Sequence, residues 1–160
     1  MYENAPVPAD SIVILPSGVS YQDLRTGTGS EIIGGKRVNI QWVLKRSNGY
    51  TIDSSLNHDG VPFIFVVGAR SSSNKEEGVA IEGLDQGIRG MRVGGIRRIV
   101  VPPSLSYTQG LEEGMPGPIP PDFGPKQRIK RVMTMAKDND VPGESFLLDV
   151  KATRMQEKLN

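Results

Sequence analysis

The sequence predicts an α+β fold built on an antiparallel sheet. Three observations support this class. Several short segments alternate between apolar and polar residues, as strands with one buried face do. Two other segments repeat their apolar residues at helical spacing. The 19 glycines and 12 prolines mark frequent turns, and 160 residues are enough for one domain with a single core.

The first half of the chain predicts mainly strands. Ile12–Leu15 and Val19–Leu24 are short apolar or alternating segments that end in turns, so we interpret them as edge strands. Lys36–Arg46 carries large apolar residues at alternate positions, which places them on one face of a strand. Asn48-Gly49 predicts a hairpin turn, and Tyr50–Ile52 the return strand.

The remaining elements alternate between strands and helices. Pro62–Val67 is β-branched and aromatic, which is typical of a buried strand. Ile81–Met91 has helical spacing, although each of its glycines weakens a helix by about 1 kcal/mol relative to alanine, so packing must hold it. Ile96–Val101 predicts a strand, Arg128–Lys137 a second helix and Ser145–Thr153 the last strand.

Composition excludes several classes of function. With 19 basic and 18 acidic residues the net charge is +1, so no nucleic-acid partner is expected. The absence of cysteine removes disulfides, thiol nucleophiles and cysteine zinc sites, and the single histidine, His58, cannot build a multi-histidine metal site. We therefore expect no metal and no cofactor. We also expect no transmembrane segment, because no apolar run reaches about 18 residues.

Several blocks of sequence occur in the order and at the spacing of one known family. They are Pro16–Gly29, Asp53-Ser54-Ser55, Pro62-Phe63, Gly83–Tyr107 and Gly117–Pro121. On these blocks the chain resembles the FKBP-type peptidyl-prolyl cis-trans isomerases. The resemblance implies a twisted antiparallel sheet wrapped around a short helix, with an extra helix in an insertion before the last strand.

The resemblance also implies a division of the chain. Residues 1–15 are expected to form an N-terminal extension, residues 16–155 the isomerase domain and residues 156–160 a C-terminal tail. Two insertions, at residues 69–78 and 122–144, are expected to interrupt the domain.

An isomerase of this kind needs no nucleophile. Rotation about an X–Pro bond meets a barrier of about 18–20 kcal/mol, and a dry pocket with fixed hydrogen bonds favours the less polar twisted amide. By resemblance, the carboxylate of Asp53, the hydroxyl of Tyr107 and the backbone N–H of Ile81 act on the substrate. The expected walls of the pocket are Trp42, Ile52, Phe63, Ala80, Leu84, Ile119 and Leu148.

Five positions depart from the family pattern. Trp42 stands where the family usually has tyrosine, Ile52 and Leu148 where it has phenylalanine, and Leu84 where it has tryptophan. Thr108 follows the rim tyrosine in place of glycine. A looser pocket predicts weak activity on the X–Pro bonds of protein clients. The alternative is a non-catalytic binding module or an auxiliary subunit of a larger protein complex.

Two further signals concern the surroundings of the domain. The insertion at 122–144, together with Gly87–Gly95, resembles FKBP-like proteins of the chloroplast thylakoid lumen in plants and algae. This resemblance implies a lumen location, with a targeting peptide removed before residue 1, and a large membrane-protein complex such as a photosystem as partner. The basic residues of the second helix are interpreted as a solvated face or as a docking surface for an acidic partner or anionic lipid; they are Lys126, Arg128, Lys130 and Arg131.

Two polar residues have plain alternatives. Asp53 alone, without the resemblance, is interpreted as a turn carboxylate that accepts backbone hydrogen bonds. His58 beside Asp59 is interpreted as part of a solvated turn rather than of a catalytic pair.

Overall fold

The computed structural model describes residues 11–72, 76–138 and 144–157. The described residues form one antiparallel sheet and two α-helices, which confirms the predicted α+β class. The strands are β1 (Val13–Ile14), β2 (Ser20–Arg25), β3 (Lys36–Lys45), β4 (Thr51–Ser54), β5 (Phe63–Val66), β6 (Ile96–Val101) and β7 (Phe146–Glu157), and the helices are α1 (Glu82–Gly87) and α2 (Phe123–Asp138).

Strands β3 and β7 form the middle of the sheet. The strand order is β1-β2-β6-β7-β3-β4, and β5 also pairs with β3. On one side β3 pairs with β7 along its whole length. On the other side its first part, Arg37–Ile40, pairs with β5, and its last part, Val43–Lys45, pairs with β4. Strands β4 and β5, which lead into the predicted site, therefore both pair with β3.

Helix α1 rests directly on β6. A Cβ atom added to Gly83 would lie 2.4 Å from Cγ1 of Val101, and one added to Gly87 would lie 2.5 Å from Cγ2 of Ile99. Only glycine permits this approach, because any side chain would have to separate the helix from the strand. The close approach buries Leu84 completely and holds the N-terminus of α1 over the sheet.

A buried arginine fixes the other end of α1. Arg97 on β6 donates from Nη1 to the carbonyl oxygens of Gly87 and Arg89, at 2.9 Å each. It also forms a two-point ion pair with Asp23, at 2.7 and 3.1 Å, and lies over the ring of Tyr21. Carbonyl groups at a helix C-terminus lack partners within the helix, and Arg97 supplies them here.

Both helices differ in extent from the sequence expectation. The first was predicted to reach Met91, but α1 ends at Gly87, and Gly90 has a φ of 83°, which an α-helix does not accommodate. Met91 is buried nonetheless, so its apolar spacing reflects the core rather than a continuing helix. The second helix begins at Phe123 rather than Arg128, because Pro125 is compatible with a first helical turn.

Replacing the two packing glycines of α1 should destabilise the protein. We expect Gly83→Ala and Gly87→Ala each to lower the free energy of unfolding by about 1–3 kcal/mol, because the new methyl group overlaps a branched side chain on β6. Urea unfolding followed by circular dichroism measures this.

Gly124 of α2 provides a matched helical control. A Cβ there meets only the end of the Arg128 side chain, at 3.5 Å. Gly124→Ala should not lower stability, because alanine is the better helix former. Equal effects of all three substitutions would contradict the close packing of α1 on β6.

Candidate functional site

The residues predicted to form the pocket lie together in one packed cluster. Asp53 and seven of the apolar or aromatic positions are buried, and two further positions are half-buried against the same core. The buried set is Trp42, Ile52, Asp53, Ala80, Ile81, Leu84, Tyr107 and Leu148, and the half-buried pair is Phe63 and Ile119. Leu84, the expected floor of the pocket, is fully buried.

The backbone N–H of Ile81 has a partner within the chain. Ile81 is the residue before the first turn of α1, and its N–H therefore has no acceptor inside the helix. It donates to the carbonyl oxygen of Gly117 at 2.9 Å, while the N–H of Gly117 donates to the carbonyl oxygen of Val79 at 2.8 Å. Ala80 and Gly117 thus form a short parallel bridge. The predicted substrate donor is engaged by the loop that precedes α2.

The hydroxyl of Tyr107 is engaged by the same loop. It donates to the carbonyl oxygen of Pro118 at 2.7 Å, and the ring packs edge-on against Phe146 with centroids 5.7 Å apart. Burial, and then the negative charge of Asp53, raise the pKa of the Tyr107 hydroxyl above its ordinary value. The hydroxyl is therefore protonated at neutral pH and able to donate.

Asp53 is the buried carboxylate of the cluster. It lies in β4, just before a 3-10 turn over Ser55–His58, and is 3% exposed. Its Oδ1 accepts from the side-chain amide of Asn57 at 3.2 Å, and its Oδ2 lies 2.7 Å from Nε2 of His58. These contacts supply donors to a charge that would be costly to bury alone.

The 3-10 turn is tied to the sheet at its first residue. The hydroxyl of Ser55 accepts from the backbone N–H of Trp42 at 3.1 Å and donates to the side chain of Gln41 at 2.6 Å. Ser54 caps the turn by accepting from the N–H of Leu56 at 3.2 Å. The turn that presents Asn57 and His58 to Asp53 is thereby fixed to β3.

Two features of the site were not predicted from the sequence. His58 was interpreted as part of a solvated turn, but its ring contacts the buried Asp53, because the turn folds back over β4. The carbonyl groups of Gly117 and Pro118 were not expected to occupy the donors at Ile81 and Tyr107. The only sequence signal for the contact between His58 and Asp53 was that His58 follows Asp53 by five residues, with the capping residue Ser54 between them.

A groove of about 800 Å³ lies beside the cluster. It shares only Phe63 and Ile119 with the predicted pocket. Ile64 of β5 and Lys126 of α2 also line it. Most of its other walls come from two loops; they include Ser72, Glu76, Glu77, Leu111, Glu113, Met115, Pro120 and Pro121. The open space next to the site is therefore formed mainly by loop residues, and only two predicted pocket walls contribute to it.

The part of the chain that the structure describes holds neither a candidate metal site nor a membrane-spanning helix. Within residues 11–72, 76–138 and 144–157, no group of three or more acidic or histidine side chains is placed to hold a metal ion. Neither helix in this part of the chain is long and apolar enough to cross a membrane.

The described residues form an α+β domain with a buried aspartate, a buried tyrosine and a short helix packed on the sheet. The chain matches the family of FKBP-type peptidyl-prolyl cis-trans isomerases over residues 29–133, and it belongs to that family.

Curated relatives share this domain but are longer proteins. FK506-binding protein 4 of Dictyostelium discoideum is 40% identical over 115 residues, which cover 72% of this chain and 28% of that protein. The chloroplastic isomerase FKBP16-4 of Arabidopsis thaliana is 38% identical over 121 residues, with coverages of 72% and 48%. The chloroplastic FKBP17-1 of the same plant is 36% identical over 134 residues, with coverages of 79% and 53%. The chain thus spans about half or less of the length of these relatives.

Solved structures share the fold. AtFKBP13 is 25% identical with a TM-score of 0.58, and the match covers 91% of this chain and 98% of that one. FkpA from Escherichia coli is 21% identical with a TM-score of 0.58, over 92% and 52% of the two chains. The predicted FKBP-like fold, including a helix before the last strand, is confirmed.

The contact between Tyr107 and Pro118 can be tested through stability. Tyr107→Phe should lower the free energy of unfolding by about 1 kcal/mol, because a buried carbonyl group loses its donor. Tyr107 is 5% exposed and Tyr50 is 51% exposed, so Tyr50→Phe is the matched control. We expect the control to change stability by less than about 0.5 kcal/mol. Equal effects in thermal or urea unfolding would show that Tyr107 has no internal acceptor.

Proposed function

We propose that this domain is a weak peptidyl-prolyl cis-trans isomerase that acts on the X–Pro bonds of protein clients. The observation that carries the proposal is that the donors assigned to the substrate, Ile81 N–H and Tyr107 hydroxyl, already bond to Gly117 and Pro118. In this proposal Asp53, Tyr107 and Ile81 act on the amide, and the walls are Trp42, Ile52, Phe63, Ala80, Leu84, Ile119 and Leu148.

The internal hydrogen bonds account for low activity in energetic terms. A client carbonyl group that binds Ile81 or Tyr107 must first displace a carbonyl group of the chain. One hydrogen bond is then exchanged for another, so the net gain from binding is small. Moving the loop also exposes apolar surface, because Leu111 is buried within the core cluster. Both costs reduce the binding energy available to stabilise the twisted amide.

The chemistry itself places few demands on the chain. The barrier to rotation arises from amide resonance, and donors held in a dry site favour the twisted geometry over the planar one. Asp53 supplies a fixed negative charge, and the protonated Tyr107 supplies a donor. No covalent intermediate is required.

A second candidate function is a non-catalytic binding module or an auxiliary subunit of a larger complex. A specific observation favours it: described residues of the two long loops, at 72 and 76–79 and between 111 and 121, together line the groove of about 800 Å³. Glu77 from the first loop and Met115 from the second lie along the same groove. A partner protein held there would leave the internally bonded site undisturbed.

The setting of the protein is part of the proposal. Arabidopsis relatives named as chloroplastic support a chloroplast location for this chain. The thylakoid lumen and a photosystem partner are finer proposals, which rest on the resemblance at residues 122–144 and 87–95. We also propose the boundaries 1–15 for an extension, 16–155 for the domain and 156–160 for a tail. Fractionation of chloroplasts, with identification of co-purifying proteins, tests the location and the partner together.

Isomerase activity and its suppression by the loop can be measured together. The assay is the refolding of a client protein whose slow phase is limited by proline isomerisation. We expect wild-type protein to accelerate this phase slightly and Asp53→Ala to abolish the acceleration. Leu111→Ala should raise it, because Leu111 is 5% exposed and anchors the loop that occupies Ile81 and Tyr107.

Met115→Ala is the control for a general effect of altering this loop, since Met115 is 37% exposed, and it should match wild type. Each variant must be shown to be folded at the assay temperature, because a buried leucine contributes about 2–5 kcal/mol to stability. No acceleration by wild type or by Leu111→Ala would favour the binding module. Wild-type acceleration that Leu111→Ala leaves unchanged would contradict the suppression by the loop.

A further inference from the structure

The Asp53 carboxylate is oriented from one side by a short turn. Asn57 donates to Oδ1 at 3.2 Å, and Nε2 of His58 lies 2.7 Å from Oδ2. The side chain of Asp53 is 4% exposed, whereas that of His58 is 22% exposed. The imidazole ring therefore lies between the buried carboxylate and the protein surface.

The backbone around His58 is held at several points. Asp59 follows in a left-handed conformation with a φ of 58°, and its N–H donates to the carbonyl oxygen of Ser55. The N–H of Val61 donates to the carbonyl oxygen of His58 at 3.1 Å. Gln41 on β3 donates to the carbonyl oxygen of Gly60 at 2.7 Å. Because the turn is fixed on both sides of His58, the ring reaches Oδ2 with little loss of conformational freedom.

The contact also determines which nitrogen carries a proton. An ionised carboxylate only accepts hydrogen bonds, so Nε2 of His58 must be the donor. Neutral His58 is then the Nε2–H tautomer. The charge of this carboxylate is felt by Tyr107, because burial, and then the charge of Asp53, raise the pKa of the Tyr107 hydroxyl.

We propose that His58 is a positioning residue of the isomerase site, which holds the Asp53 carboxylate in its working orientation through Nε2. This inference rests on the proposed function, because it assigns Asp53 a role in isomerisation. His58 acts through Asp53 and does not touch the client. Without its donor, Oδ2 loses its hydrogen bond and the carboxylate turns more freely.

A spectroscopic test is independent of activity. His58 is the only histidine of the chain, so its imidazole gives one set of signals in long-range ¹H–¹⁵N correlation spectra. At a pH where the ring is neutral, wild-type protein should show the Nε2–H tautomer. Asp53→Ala should produce a mixture of tautomers. Asp59→Asn, which changes the neighbouring carboxylate at a left-handed position that asparagine tolerates, should leave the wild-type tautomer in place.

The functional test uses two substitutions at the same position. His58→Ala should lower kcat/KM for isomerisation by about tenfold, less than the roughly 100-fold cost of misplacing a catalytic group by about 1 Å, because Asn57 still holds Oδ1. His58→Gln keeps an N–H donor at nearly the same distance along the side chain, so it should recover most of this loss. If His58 were only structural, the two variants would lose activity in proportion to their loss of stability.

The possible outcomes separate the two proposals. If wild-type protein shows no isomerase activity, the proposed function fails. The comparison of the His58 tautomer between wild type and Asp53→Ala still decides whether His58 holds the carboxylate. A tautomer that does not depend on Asp53 overturns the inference. Wild-type kcat/KM in folded His58→Ala overturns it as well.

Discussion

The contact between α1 and β6 is the constraint on which the rest of the structure depends. Gly83 and Gly87 leave no room for a side chain between the helix and the strand, and Arg97 holds the C-terminal end of the helix. The position of the helix then determines where Leu84 is buried and in which direction the N–H of Ile81, which has no acceptor inside the helix, points. If a single added methyl group moved the helix away from β6, the N–H of Ile81 would move away from its present position as well.

From Ile81 the same constraint extends to the loop before α2. The N–H of Ile81 bonds to Gly117, and the hydroxyl of Tyr107 bonds to Pro118, so two neighbouring carbonyl groups satisfy both donors. The scaffold is that of an FKBP-type domain, and the two donors proposed to act on a client bond to the chain itself. The burial of the proposed pocket residues and the internal bonds of the proposed donors are two aspects of one packing arrangement.

Much of this was predictable from the sequence, and the reasons for the remainder are physical. Alternation of apolar residues located the strands. The site expected from the motifs around Asp53 and Tyr107 stays a prediction, and most of its residues are buried. The partners of those residues were harder to predict. Gly117 and Pro118 act through backbone carbonyl groups, which every residue carries, so only the path of the loop reveals them. The contact of His58 depends on a turn that ends in a left-handed Asp59, which residue types alone did not indicate.

The central claim is that the donors proposed for the substrate are satisfied within the chain, and amide hydrogen exchange at Ile81 tests it most directly. In the protein alone, the amides of Ile81 and Gly117 should both exchange slowly and open together, because they belong to the same short parallel bridge. The paired amides of β6 provide the internal reference for a protected core. Exchange of the Ile81 amide at the rate of an unstructured peptide, while β6 stays protected, would contradict the account.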